Sequence, residues 1–275
     1  MLKKRVLTAL WSIPLLIVAV WFDTPLPWFT ILVAIWGLLA VFEFYRLVAV
    51  SKALVLTCFG LIWTLLFILS PHCDYELIIP LLVTSGVVLS LMWLVLSPQK
   101  EGAFLGWAWT IAGVLYVGWL LSYLVALRLD AGRNWVFFTL FTTFGSDTVA
   151  FFVGRAIGRH RLAPRISPNK TWEGAIGGVF GAIIVSLLFV LPTPLNLPLN
   201  YGQAVLLGLL VSVFGQFGDL VESLLKRNMG VKESGKLMPG HGGVLDRLDS
   251  IIFAGVLVYY YVLAYHAGWL NWLQW

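Results

Sequence analysis

The chain reads as a succession of long apolar runs separated by short polar breaks. A bilayer-spanning helix needs about 20 mainly apolar residues. Nine stretches meet or approach that length: 6–22, 27–45, 53–70, 77–96, 103–127, 134–154, 173–191, 201–221 and 250–270. The pattern predicts an all-α fold, a polytopic integral-membrane helical bundle of about nine transmembrane helices. The fifth run is long enough to be one tilted helix or a broken one. Two longer polar segments remain, 155–172 and 222–249. No separate soluble domain fits what is left, and no internal repeat stands out. The chain therefore divides into residues 1–133, with spans one to five, and residues 134–275, with the remaining spans and both polar segments.

Composition agrees and narrows the choice. Charged residues are 11% of the chain and apolar residues 60%, against about 25% and 45–50% in soluble domains. A soluble enzyme and a disordered chain are excluded. The net charge of +5 comes from too few residues to coat a nucleic-acid-binding face. Lys and Arg mark cytosolic loops. With the N-terminus cytosolic, nine spans place 16 of the 18 basic residues inside: Lys3, Lys4, Arg5, Arg46, Lys52, Lys100, Arg155, Arg159, Arg161, Arg165, Lys170, Lys226, Arg227, Lys232, Lys236 and Arg247. Arg128 and Arg133 alone fall outside. Merging two spans would throw the later basic loops to the wrong side. Val20–Phe22 offers no small-residue cleavage site, so the first run is expected to be a retained anchor rather than a signal peptide. The terminal Trp269, Trp272 and Trp275 suit an interfacial belt.

The segment 222–249, together with Asp219 just ahead of it, mixes signs, which topology alone does not require. Asp219, Glu222, Glu233, Asp246 and Asp249 stand among Lys226, Arg227, Lys232, Lys236 and Arg247. Carboxylates beside a membrane are costly unless they bind cations or pair. Asp246 and Asp249 are three apart, on one face of the predicted ninth helix; capping of that helix by Asp246 is the alternative to a site. His241, Gly242 and Gly243 precede them, and adjacent glycines let backbone N–H groups approach a phosphate. Carboxylates with cations suggest phosphates held by the protein and Mg2+.

Other features have simpler explanations. Asp147 lies inside the sixth run, where an acid marks either a site or an interhelix hydrogen bond. Gly174, Gly177, Gly178 and Gly181 form a small-residue stripe suited to close helix packing, within the chain or in a homodimer. Asn169-Lys-Thr171 matches a glycosylation sequon by chance, on the inner side. Cys58 and Cys73 fall at different depths and are expected to stay unpaired, with no metal between them. His72 and His266 are expected to be interfacial and idle.

The run Ser223-Leu-Leu-Lys226-Arg227, then Lys232-Glu233-Ser-Gly235, then Pro239-Gly-His241-Gly242-Gly243-Val-Leu-Asp246-Arg247-Leu-Asp249 resembles the signature of phosphatidate cytidylyltransferases, the CDP-diacylglycerol synthases. Ser167-Pro-Asn169-Lys170-Thr171-Trp-Glu173-Gly174 and Ser146-Asp147-Thr148 are similar to that family too. The family pattern has Asp where this chain has Glu233, and Leu, Ile or Phe where it has Met238. The resemblance implies a nucleotidyltransferase of phospholipid biosynthesis, in the inner membrane of a bacterium. It would join CTP to phosphatidate with Mg2+, releasing CDP-diacylglycerol and pyrophosphate at the cytosolic face. Both reactants are anionic, so metal ions and Lys/Arg address the main barrier. Phosphatidate is already ionised, and no strong base is needed.

The expected metal ligands are Asp219, Asp246 and Asp249, with Asp246, Asp219, Lys226, Arg227 and His241 carrying catalysis. Lys170, Lys232 and Arg247 are expected at phosphates, and Gly242 and Gly243 as backbone donors. Ser167, Asn169 and Thr171 are expected to complete a nucleotide pocket, and Asp147 to orient a ligand or another side chain. A CDP-alcohol phosphotransferase would have a glycine after its second Asp, where Asp249 is followed by Ser250. A cation-coupled transporter would carry charges near the midplane of broken helices, and only Asp147 fits that.

Overall fold

A computed structural model describes residues 14–22, 25–50, 55–73, 75–97, 101–235 and 242–269. Most of them are helical. After a helical stretch at 14–21 come α1 (Trp28–Ala49), α2 (Thr57–Leu69), α3 (Tyr75–Leu96) and α4 (Ala103–Gly113). A π-helical stretch, Val114–Trp119, joins α4 to α5 (Leu120–Asp130). Then follow α6 (Arg133–Ile157), β1 (Arg161–Ala163), β2 (Ser167–Thr171), α7 (Trp172–Leu188), α8 (Tyr201–Asn228) and α9 (Leu245–His266). Among the described residues, six helices are long and apolar enough to cross a bilayer: α1, Leu77–Leu96, Ala103–Asp130, α6, α8 and α9. Helices α2 and α7 are apolar but shorter. This is the architecture of a multi-pass membrane protein. The long fifth run is a continuous helix with a wider turn inside it.

The all-α expectation needs one amendment. Residues 161–171 form a small antiparallel hairpin, with Arg161 opposite Thr171 and Ala163 opposite Ser167. Pro164 breaks the helical pattern there, and Ile166 N–H closes the turn on the Ala163 carbonyl at 3.1 Å. The other polar segment is shorter than expected at both ends. α8 runs on to Asn228 and α9 begins at Leu245, so Lys226, Arg227, Asp246 and Asp249 are all helical.

The residues fall into two compact units. One consists of the chain up to Ala126 together with Asn228–Leu248; the other consists of Leu127–Arg227 and the chain from Asp249 on. In the first unit, small residues and matched polar groups stand in for the hydrophobic drive that lipid removes. The buried Tyr45 hydroxyl donates to the Thr110 carbonyl at 2.9 Å. Its ring occupies the space that a side chain at Gly60 or Gly113 would need. The half-buried Trp63 donates from Nε1 to the Leu82 carbonyl at 3.0 Å, and the half-buried Trp107 from Nε1 to Ser90 Oγ at 2.8 Å.

In the second unit the glycine stripe packs α7 on α6. A Cβ at Gly177 would stand 2.8 Å from Val153, and one at Gly181 2.7 Å from Val149. Thr171 caps α7, its Oγ1 accepting from Gly174 N–H at 3.2 Å. Asn200 and Gln203 form a reciprocal capping box at the start of α8: Gln203 N–H donates to Asn200 Oδ1 at 2.7 Å and Asn200 N–H to Gln203 Oε1 at 3.0 Å. Glycine also brings α8 against α9, since a Cβ at Gly218 would strike the Asp249 carbonyl.

Candidate active site

In the second unit the carboxyl half of α8 carries Asp219, Glu222, Ser223, Lys226 and Arg227. Intervals of three and four place them along one side of the helix. Asp219 Oδ2 pairs with Lys170 Nζ of β2 at 2.8 Å, and Ser223 Oγ donates to Asp219 Oδ1 at 3.2 Å. Lys226 pairs with Glu222 one turn back, and the Glu222 side chain is wholly buried. Arg227 Nε donates to the Ile166 carbonyl at 3.1 Å, tying α8 to the hairpin turn. Asp249 is 8% exposed and accepts from the Ser250 N–H at 2.7 Å. Asp219, Asp147 and Lys226 all act electrostatically on it. The fold thus gathers three carboxylates from α6, α8 and α9, with Lys170 and Lys226 among them.

The hairpin residues divide in role. Successive residues of a strand face opposite ways, so Lys170 points away from its neighbours Asn169 and Thr171. Lys170 reaches Asp219, and Asn169 is exposed. Thr171 is buried with its hydroxyl committed to the α7 cap, which gives it a structural task where a nucleotide contact was expected. Ser167 opens the strand opposite Ala163. Glu173 holds the hairpin base, accepting from His160 Nδ1 at 2.6 Å.

In the first unit Asp246 sits in the first turn of α9, inside the helix rather than at its cap. Its Oδ2 accepts from Gly243 N–H at 2.8 Å, Ser234 Oγ at 2.9 Å and Ser234 N–H at 3.1 Å. The Gly243 N–H, expected to face a phosphate, is therefore donated to Asp246. Gly242 takes a positive φ of 85°, and a Cβ there would lie 2.7 Å from Asp246 Oδ2. These glycines let the chain wrap closely around that carboxylate. Lys232 and Arg247 are exposed. His241 and Lys236 lie outside the described residues.

One residue escaped the sequence reading. Glu43 of α1 is 2% exposed, and its Oε2 accepts from Leu245 N–H at 3.0 Å and Ser234 Oγ at 3.2 Å. The signal was present: an acid within an apolar run, the same mark that singled out Asp147. Ser223 and Ser234 were unremarked as donors because serine carries no comparable mark.

Among the described residues, no three His, Cys, Asp or Glu side chains are grouped as a metal cage. The donor chemistry still suits a hard cation. Asp249 is a buried carboxylate within electrostatic reach of two further carboxylates, an arrangement that added positive charge relieves. All-oxygen donors match Mg2+, which takes one or two carboxylates and completes its shell with water and phosphate oxygens.

The chain is similar in sequence to known proteins. A phosphatidate cytidylyltransferase of Bacillus subtilis (strain 168) is 35% identical over 265 residues, 94% of this chain and 97% of that protein. One from Staphylococcus haemolyticus (strain JCSC1435) is 42% identical over 173 residues, 63% of this chain and 64% of that protein. One from Brucella abortus biovar 1 (strain 9-941) is 44% identical over 160 residues, 56% and 57% of the two chains. The cytidylyltransferase family matches residues 3–265, end to end through every helix that carries a site residue, and the chain belongs to that family.

Proposed function

We propose that the chain joins CTP to phosphatidate, giving CDP-diacylglycerol and pyrophosphate, at the cytosolic face of a bacterial inner membrane. The observation that carries the reading is the mixed-charge cluster of Asp147, Lys170, Asp219, Lys226 and Asp249, held on apolar helices and on β2 in a cytidylyltransferase chain. A lipid phosphate oxygen attacks the α-phosphorus of CTP; that P–O bond forms as the bond to the β-phosphate bridging oxygen breaks, and pyrophosphate leaves. Two anions must approach, so the chief task of the protein is to offset charge. Lys170, Lys226 and Arg227 supply fixed positive charge, and Lys232, Arg247 and His241 are proposed as phosphate contacts of their own segment. Ser167 and Asn169 share β2 with Lys170 on its opposite face and would meet the nucleotide there.

Asp219 and Asp249 would hold Mg2+, and Asp246, in the first turn of α9, is proposed as a metal ligand as well. When bound, Mg2+ supplies a Lewis acid for phosphate oxygens. The chain's own carboxylates fix where that charge sits, and Lys170 holds Asp219 in place. The N-terminus is cytosolic in this reading, and nine spans carry the chain across the membrane. A homodimer through glycine-rich helix faces is compatible with it.

The test is pyrophosphate release from detergent-purified protein, with CTP, ATP, GTP or UTP offered beside phosphatidate and Mg2+. CTP alone should support turnover, and Asp219→Asn and Asp246→Asn should each lower it by about 100-fold or more. Wild-type turnover in both variants would sink the ligand assignment. Equal use of all four nucleotides would sink the function.

A further inference from the structure

We propose that Glu43 is a positioning residue for Asp246, acting through Ser234 and the first backbone amide of α9; this rests on the cytidylyl-transfer reading. Glu43 is nearly fully buried in α1, and the other charge of that helix, Arg46, lies over the Phe42 ring. A buried carboxylate persists only where donors repay its lost hydration. Here the donors are Leu245 N–H and Ser234 Oγ. The first is one of the amides that a helix start leaves without an intrahelical acceptor. It comes from the residue immediately before Asp246.

Ser234 joins the two acids. Its Oγ lies 3.2 Å from Glu43 Oε2 and 2.9 Å from Asp246 Oδ2. A hydroxyl has one proton to donate, so the two carboxylates share a single donor. The position of either is felt by the other. The loop is shaped for this contact. A Cβ at Gly235 or at Gly243 would collide with the Glu43 carboxylate. Both glycines leave out a side chain at the place where a residue some 190 positions earlier enters. Simple capping of α9 would need one exposed acceptor, not a carboxylate carried in on a second helix.

The experiment compares Glu43→Leu, Glu43→Gln and Ser234→Ala in the purified full chain. It reads kcat, KM for CTP and phosphatidate, half-saturating Mg2+, thermal midpoint, and amide hydrogen exchange at Gly243 and Leu245. Glu43→Leu should lower kcat by about tenfold or more with both KM values little changed. It should also raise half-saturating Mg2+ and speed exchange at both amides. Glu43→Gln keeps a carbonyl oxygen for the two donors and should restore most of the kcat. Ser234→Ala should move half-saturating Mg2+ in the same direction, and it decides the matter if Glu43→Leu does not fold. Unchanged Mg2+ dependence in Ser234→Ala and in folded Glu43→Leu overturns the proposal. So does a loss shared equally by Glu43→Gln and explained by a lower folded fraction. If the wild-type chain releases no pyrophosphate, the functional reading fails by itself. Exchange then decides Glu43, and unchanged rates at Gly243 and Leu245 overturn its role.

Discussion

Lys226 and Glu222 show how a buried charge binds its neighbour's fate to its own. The Lys226 side chain is 12% exposed and that of Glu222 is 0% exposed. Removing one partner leaves an uncompensated charge, at a cost of about 3–5 kcal/mol. Lys226→Met is therefore expected to lower the thermal midpoint sharply, and Glu222→Leu/Lys226→Met to recover most of it. Turnover should not recover in the double variant if Lys226 serves a phosphate. A double variant that is both stable and fully active would confine the pair to a structural role. Lys170 and Asp219 are a milder case, each partly open to solvent. Lys170→Ala should reduce turnover more than stability, because a partly exposed pair contributes only about 1 kcal/mol or less.

At the scale of elements, glycines decide which helices approach. The stripe on α7 touches Val149 and Val153 of α6 with no room for a branched side chain. Gly177→Leu and Gly181→Leu should each destabilise by roughly 1–3 kcal/mol, from overpacking, and would reach Asp147, which precedes Val149 on α6, only through that helix. Chemical or thermal unfolding in detergent measures this, and a wild-type midpoint in both would show that the two helices separate without cost. The α7 cap offers a gentler probe. Thr171→Val should cost about 1 kcal/mol and Thr171→Ser nearly nothing. A Thr171→Ser variant with weakened CTP affinity at full stability would return Thr171 to the nucleotide.

At the scale of the whole molecule, the open quantity is sidedness. Cys58 and Cys73 are both free and exposed. Cys73 follows the α2 helix in a stretch assigned to the outside, and Lys232 follows α8 in a stretch assigned to the inside. In intact cells, a membrane-impermeant maleimide should label Cys73 when Cys58 is replaced. It should reach a cysteine at position 232 in a cysteine-free background only after permeabilisation. The reverse pattern would overturn the cytosolic N-terminus, and labelling of both positions from the same side would overturn the span count between them.

Much was legible in the chain alone. Apolar runs announce helices because length and periodicity are local properties, and each run after the first met a helix close to the expected place. The contrast between basic and uncharged loops, the unpaired cysteines and the packing role of the glycine stripe rest on equally local signals. The helix ends did not follow, because α8 outlasts its apolar run by pairing Glu222 with Lys226 across one turn. Family membership was readable from a run of fixed spacings. Only the tertiary structure could join Lys170 to Asp219, bring Asp147 and Asp219 within electrostatic reach of Asp249, turn Gly243 toward Asp246, and set Glu43 against Ser234. Those partners come from separate helices, strands and loops. A contact across so many residues leaves no periodic trace, since it is selected by packing and by the demand that every buried charge find a donor or a counter-charge.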